Sequence, residues 1–249
     1  MAIFEKTIMT INELIELVNT LRKKCPWDRK QTLTSLKNNL VEEAYELVAA
    51  IEENDRHAIK EEIGDILFLG MFLAKVLEEE KGVHFDEVIS AIITKYRDKH
   101  PHVFKNMALP DQKEVLKFWQ QSKKDIFEGI PITLPALLAA KVIQERASKV
   151  GFDWDSHKGP MRKVTEEVRE IEKSIGSKKV FEEFGDLLFA CVNLARHLAI
   201  DPEDALRYAN KKFVKRFRKV KNELKRRGKN LEDAGLEEMD KIWDEIKKM

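Results

Sequence analysis

The second half of this 249-residue sequence echoes the first. Glu42-Glu43-Ala44-Tyr45-Glu46 returns as Glu166-Glu167-Val168-Arg169-Glu170. Glu62-Ile63-Gly64-Asp65-Ile66-Leu67-Phe68 returns as Glu183-Phe184-Gly185-Asp186-Leu187-Leu188-Phe189. Upstream, Trp27-Asp28 is matched by Trp154-Asp155; downstream, Lys95-Tyr96 and Lys99 are matched by Lys212-Phe213 and Arg216. Landmarks repeated in one order mean a duplicated domain, so the chain is expected to fold as two copies of one unit. At roughly 100 to 125 residues, each copy is long enough to bury its own core.

The copies are placed at residues 1–105 and 135–249. The stretch 106–134 matches neither well and, with Pro135 just beyond it, carries the helix breakers Pro110, Gly129 and Pro131. Within it, Val115, Leu116, Phe118 and Trp119 fall at helical spacing, so a helical linker is expected.

Inside each copy the apolar residues also recur at helical spacing, as in Leu14, Leu17, Val18 and Leu21, then Leu40, Ala44, Leu47, Val48 and Ile51. Strand-like alternation is nearly absent. Pro26 and Asp28 precede a second helix, Asn54-Asp55 ends it, and Gly82 closes a third before Asp86 caps a fourth. Four amphipathic helices with short connections bury their stripes most simply as an antiparallel bundle. The fold class is therefore all-α: two tandem four-helix-bundle-like domains.

Composition narrows the function. Residues are 43% hydrophobic and 36% charged, the balance of a folded, helix-rich protein. The 45 basic and 44 acidic side chains nearly cancel, so no overall field draws the molecule to nucleic acid or an anionic membrane. Met1 to Leu21 mixes apolar residues with Glu and Asn, which argues against a signal peptide or membrane span and for a cytoplasmic location. Cys25 and Cys191 have no second Cys nearby and read as ordinary thiols.

The chemistry lies in the acidic residues. Offsets of three and four bring Glu46 beside Glu42 and Glu43 on one helical face, and Glu170 beside Glu166 and Glu167. On the next helix, Glu62 pairs with Asp65, and Glu183 with Asp186. If those helices face one another, four carboxylates converge. A Glu cluster on a helix is commonly a solvated face. Asp65 and Asp186, however, sit in apolar runs where burial of a carboxylate is costly without a cation. Gly64 and Gly185, in mid-helix, suggest close approach of a neighbouring helix or a ligand. All-carboxylate sites suit hard cations, and Mg²⁺ binds through a few carboxylates while phosphate oxygens fill its other positions. A phosphorylated substrate needs basic groups as well; Lys212, Arg216 and Lys219 form a stripe on one helix, and Lys95 and Lys99 are the matching pair in the first copy.

Glu-Glu-x-x-Glu followed by Glu-x-x-Asp resembles the signature of the MazG nucleoside triphosphate pyrophosphohydrolases. The resemblance extends to Cys25-Pro26-Trp27-Asp28, His100-Pro101-His102-Val103-Phe104, Gly151-Phe152-Asp153-Trp154, Arg216-Phe217 and Trp243, and fits the family's tandem form. It implies an all-α bundle, a homodimer and Mg²⁺, with Mn²⁺ as a substitute. The implied reaction converts nucleoside triphosphates, deoxy forms included, to monophosphate and pyrophosphate by attack of a metal-activated water on the α-phosphorus. It further implies metal binding by Glu43, Glu46, Glu62 and Asp65, and by Glu167, Glu170, Glu183 and Asp186. Glu42 and Glu166 become the general-base candidates. Lys163, Lys179, Lys212 and Arg216 become phosphate contacts, and Trp243 is placed near the nucleoside.

Other signals read more plainly. His100 and His102 lack partner ligands and read as capping or packing groups. Trp27 and Trp154 read as core anchors. The basic segment from Lys211 to Arg227 leaves a nucleic-acid-binding or regulatory helical module as the alternative function, although its apolar stripe points to a packed helix.

Overall fold

The computed structural model describes residues 10–105, 107–108, 111–121 and 125–248. It divides into two compact units, Met1–Val115 and Leu116–Met249, the division falling inside the stretch 106–134. Among the described residues there is no strand, and no helix is long and apolar enough to cross a membrane.

The first unit contains α1 (Ile11–Lys24), α2 (Leu33–Glu53), α3 (Arg56–Lys81), α4 (Phe85–Lys99) and the short α5 (Pro101–Phe104). Local chemistry sets the ends. Thr10 and Glu13 close a capping box on α1, and Thr32 and Ser35 do the same for α2. Pro26 and Asp28 therefore belong to a connecting turn, with a 3₁₀ stretch over Asp28–Lys30. Asn54 ends α2 in the left-handed region (φ 53°), and Asp55 caps α3 by accepting from the His57 and Ala58 amides. Gly82 (φ 70°) ends α3. The cap of α4 is His84, whose amide donates to Glu87 Oε1 at 2.9 Å, so Asp86 lies in the first turn instead.

α3 packs against both α1 and α2. Val18, Leu36, Leu69, Phe72 and Val76 form the buried core there. Arg22 ties α1 to α3 and to the turn before α2: its guanidinium donates to Glu79 on α3 and to the Asp28 and Gln31 carbonyls, and lies 5.5 Å from the Phe72 ring centroid. Much of the expected α2 stripe is not in this core. Leu40 and Ile51 are exposed, because α3 covers only one side of α2. Trp27 is 61% exposed and so is not a core anchor.

α6 (Gln112–Gln121) crosses the division between units. The second unit holds α7 (Ala136–Ser148), α8 (Lys158–Ser174), α9 (Val180–His197), α10 (Pro202–Arg226) and α11 (Leu236–Lys248). α9 is the central helix, with α8 on one flank and α7 on another, while α10 packs on α7 and α11. Val220, Leu224 and Ile242 are fully buried between α10 and α11. The basic segment is thus one side of a packed helix, as its apolar stripe requires.

Candidate metal centre and cavity

In the first unit, α2 and α3 bring carboxylate oxygens of Glu43, Glu62 and Asp65 within 4.8 Å of one another. Glu46 stands beside them. Partial burial pushes the Glu43 carboxyl above its ordinary range, helped by the charges of Asp65, Glu46, Glu62 and Glu42. Glu62 is raised for the same reasons, with Glu46 and Asp65 the main neighbours. Its Oε2 is buried without a hydrogen-bond partner. Crowded acceptors, with no hydrogen-bond donor to them among the described residues, make an arrangement that a divalent cation satisfies.

The second unit repeats this on α8 and α9, where oxygens of Glu167, Glu183 and Asp186 lie within 4.8 Å of one another, as do those of Glu166, Glu167 and Glu170. Burial and Glu167 together raise the Glu170 carboxyl. Here a cation is built in. Lys163 Nζ is 2.5 Å from Glu167 Oε1 and 2.8 Å from Glu166 Oε1, and these bonds raise the lysine above its ordinary value. Glu167 is 1% exposed, and its second oxygen, Oε2, has no partner. In the repeat, the position of Lys163 is taken by Asn39, which has no charge.

The expected burial of Asp65 and Asp186 is not what the structure has: both are exposed, and the buried carboxylate is Glu167. The apolar runs misled because Ile63, Leu67, Phe184, Leu188 and Phe189 are themselves exposed. Nor does a neighbouring helix approach Gly64 or Gly185, since a Cβ at either would meet nothing within 4 Å. At both positions the α3 and α9 backbones border open space.

A cavity of about 690 Å³ opens beside the second cluster. Lys163, Glu167 and Asp186 line it, joined by Phe189, Ala190, Asn193 and Arg196 along the same face of α9. Across from them stand Ile143, Gln144 and Ala147 of α7, together with the loop Gly151-Phe152-Asp153-Trp154. The loop is pinned. Asp153 accepts from Arg196 at 2.9 and 2.5 Å and pairs with His197 at 2.9 Å. The indole of Trp154 lies directly over Gly159, in the space that a Cβ there would need. Trp154 is therefore a half-exposed wall of the cavity, not the core anchor expected.

Arg196 holds the Asp153 carboxyl down to about 2, with His197 and the Trp154 amide helping. A carboxylate depressed from 3.8 contributes stability above its unfolded value and loses it as pH falls through about 2. Asp153→Asn is thus expected to lower stability at pH 6, with the gap from the parent protein closing toward pH 2. Urea midpoints measured across that range check it; a gap that does not narrow would remove the ion pair as its cause.

The remaining site candidates of the second unit are not among the residues that line this cavity. Lys179 is exposed at the start of α9. Lys212 stacks over Tyr208, and Arg216 lies 6.0 Å from the Trp243 ring centroid. Trp243 packs on Phe213, in the cluster between α10 and α11. In the first unit Lys95 and Lys99 are exposed on α4, Lys99 over Tyr96. Among the described residues no histidine joins an acidic cluster; His100 instead bonds the Tyr96 carbonyl at 2.7 Å and stacks on its ring. Sequence reasoning did not single out Gln144, Gly159, Asn193 or Arg196. Gln144 had a signal, a polar side chain at the helical spacing of Ala140 and Ala147.

The model of the MazG nucleotide pyrophosphohydrolase domain matches twice, over residues 31–104 and 155–221. The nucleoside triphosphate pyrophosphohydrolase/pyrophosphatase MazG of Thermotoga maritima is 41% identical over 242 residues, covering 94% of each chain. The nucleoside triphosphate pyrophosphohydrolase of Escherichia coli K12 is 37% identical, covering 96% of this chain and 97% of its own. A crystal structure of a mazG-related protein from Thermotoga maritima aligns to 46% of this chain at 28% identity and a TM-score of 0.43. With its acidic clusters inside both matched segments, the chain belongs to the MazG nucleotide pyrophosphohydrolase family.

Proposed function

We propose that this protein hydrolyses nucleoside triphosphates, ribo and deoxy, to monophosphate and pyrophosphate in a Mg²⁺-dependent reaction centred on the cavity of the second unit. The observation that carries this is the buried Glu167, which has an unpartnered Oε2 and a carboxylate oxygen within 4.8 Å of Glu183 and Asp186, on the wall of a nucleotide-sized cavity beside Lys163. The family supplies the reaction class.

Glu167, Glu170, Glu183 and Asp186 would hold the cation, and Glu43, Glu46, Glu62 and Asp65 would do so in the first unit; hard oxygen donors fit Mg²⁺, or Mn²⁺ in its place. When bound, the cation supplies positive charge to the triphosphate and acidifies water. The protein's own groups do the rest. Lys163 spends two donors on Glu166 and Glu167, leaving a third for a phosphate oxygen. Glu166, paired with Lys163, is assigned to accept the proton of the water attacking the α-phosphorus; Glu42 is its counterpart. Lys95 and Lys99 are assigned to phosphate contacts of the first unit's own site, and Lys179, Lys212 and Arg216, outside the cavity lining, to outer phosphate contacts of the second; Trp243, packed between α10 and α11, is left with at most an outer place on the nucleoside side. The apolar wall of Phe152, Trp154 and Phe189 receives the nucleoside and limits water around the reacting phosphate. Exposed Leu40, Ile51, Ile63 and Leu67 on α2 and α3 support a homodimer, since such a surface is costly to leave in water. A cytoplasmic location fits a substrate of this kind.

The test is incubation of purified protein with each common nucleoside triphosphate, with and without Mg²⁺, and chromatographic identification of products. Monophosphate plus pyrophosphate, formed only with metal, is expected. Diphosphate plus phosphate, or no turnover of any nucleotide, would overturn the reading.

A further inference from the structure

The face of α9 that lines the cavity runs from Asp186 at the carboxylate cluster to Arg196, about 15 Å along the helix axis. Two side-chain amides line the cavity, and in each the amide orientation is fixed by a partner with only one role. Gln144 Nε2 donates to the Phe189 carbonyl at 2.8 Å, so Nε2 is the amide nitrogen and Oε1 the acceptor. Arg196, which has donors only, gives two N–H groups to Asn193 Oδ1, at 3.1 and 2.7 Å. Gln144 is 6% exposed, and its Oε1 has no hydrogen-bond partner. A buried acceptor is costly to leave unmatched, and ring-sized aromatic walls at Trp154 and Phe189 stand beside this one.

Building on the reading that this cavity holds the nucleoside, we propose that Gln144 is a specificity-determining residue: its Oε1 takes an N–H from the edge of the base. Adenine and cytosine offer an exocyclic amine, guanine and uracil a ring N–H, so one acceptor admits every standard base. It rejects a ring that has no N–H on that edge. The selection is for a hydrogen-bond donor, not for a particular base.

The experiment compares kcat/KM, in Mg²⁺, for ATP against purine riboside triphosphate and for CTP against the triphosphate of pyrimidin-2-one riboside. Each analogue replaces the amine with hydrogen and adds no bulk. The natural substrate is expected to be favoured by roughly tenfold to a hundredfold, the range set by leaving a buried acceptor unpaired. In Gln144→Met, which keeps length and removes the acceptor, both members of each pair are expected to react at similar rates, close to that of the analogue on the parent enzyme. Equal rates for each pair on the parent enzyme would overturn the proposal, and need no variant to fold. So would unchanged discrimination in Gln144→Met. Failure of ATP and CTP themselves to react on the parent enzyme would instead remove the hydrolase reading beneath it.

Discussion

Glu167→Gln is expected to lower kcat/KM for nucleoside triphosphates by roughly 10³-fold, about 4 kcal/mol of transition-state stabilisation, the scale of what a bound cation supplies to phosphoryl chemistry. Glu167 belongs to both acidic clusters of the second unit, and it is the buried carboxylate of that set. The neutral amide keeps its size while removing the charge that draws the cation. The matching Glu43→Gln is expected to retain most of the turnover. Glu43 has no lysine one helical turn before it, Asn39 standing there instead. Steady-state kinetics on both variants, with circular dichroism to confirm folding, decide the matter. A folded Glu167→Gln with near-parental kcat/KM would sink the assignment of the working site to the second unit.

The other large effect is on stability. Lys163→Met leaves Glu167, with its side chain 2% exposed, as a buried carboxylate without a counter-charge. Removing one partner of a fully buried pair costs about 3–5 kcal/mol. Lys163 is itself 38% exposed, so solvent screening brings the expected loss to about 2–3 kcal/mol. Mg²⁺ is expected to restore much of it, because the cation supplies the missing charge; at a hundredfold excess over its Kd a bound ligand adds about 2.7 kcal/mol. Urea denaturation with and without Mg²⁺ reads both numbers. An Mg²⁺ effect no larger in the variant than in the parent would contradict a metal site at Glu167.

Much of this was legible in the residues, and for a simple reason. Duplication is visible without any structure, and carboxylates at i, i+3 and i+4 share a helical face whatever surrounds the helix. The convergence of Glu43 with Glu62 and Asp65, and of Glu167 with Glu183 and Asp186, needed only that α2 meet α3 and α8 meet α9. Burial was harder to read. Apolar neighbours suggested that Asp65 and Asp186 are enclosed, yet an apolar stripe on a helix does not say what covers it, and on α3 and α9 part of it faces solvent. The carboxylate that is enclosed, Glu167, lies in the polar helix α8 and is buried by the tertiary packing of α8 on α9.

The cavity wall was the least legible part. Phe152, Trp154 and Gln144 are separated in sequence from the acidic residues they serve, and only the packing of α7 and the pinned loop at Asp153 brings them to α9. Gly159 illustrates the difficulty: a glycine inside a helix reads as a weak point, whereas here its missing side chain makes room for the indole of Trp154.

The most direct test of the central claim is hydrolysis of a nucleoside triphosphate in ¹⁸O-labelled water with Mg²⁺, followed by mass spectrometry of the products. Attack at the α-phosphorus puts one ¹⁸O in the monophosphate and none in the pyrophosphate, which is the expected result. Label in the pyrophosphate, or release of labelled inorganic phosphate, would contradict the account.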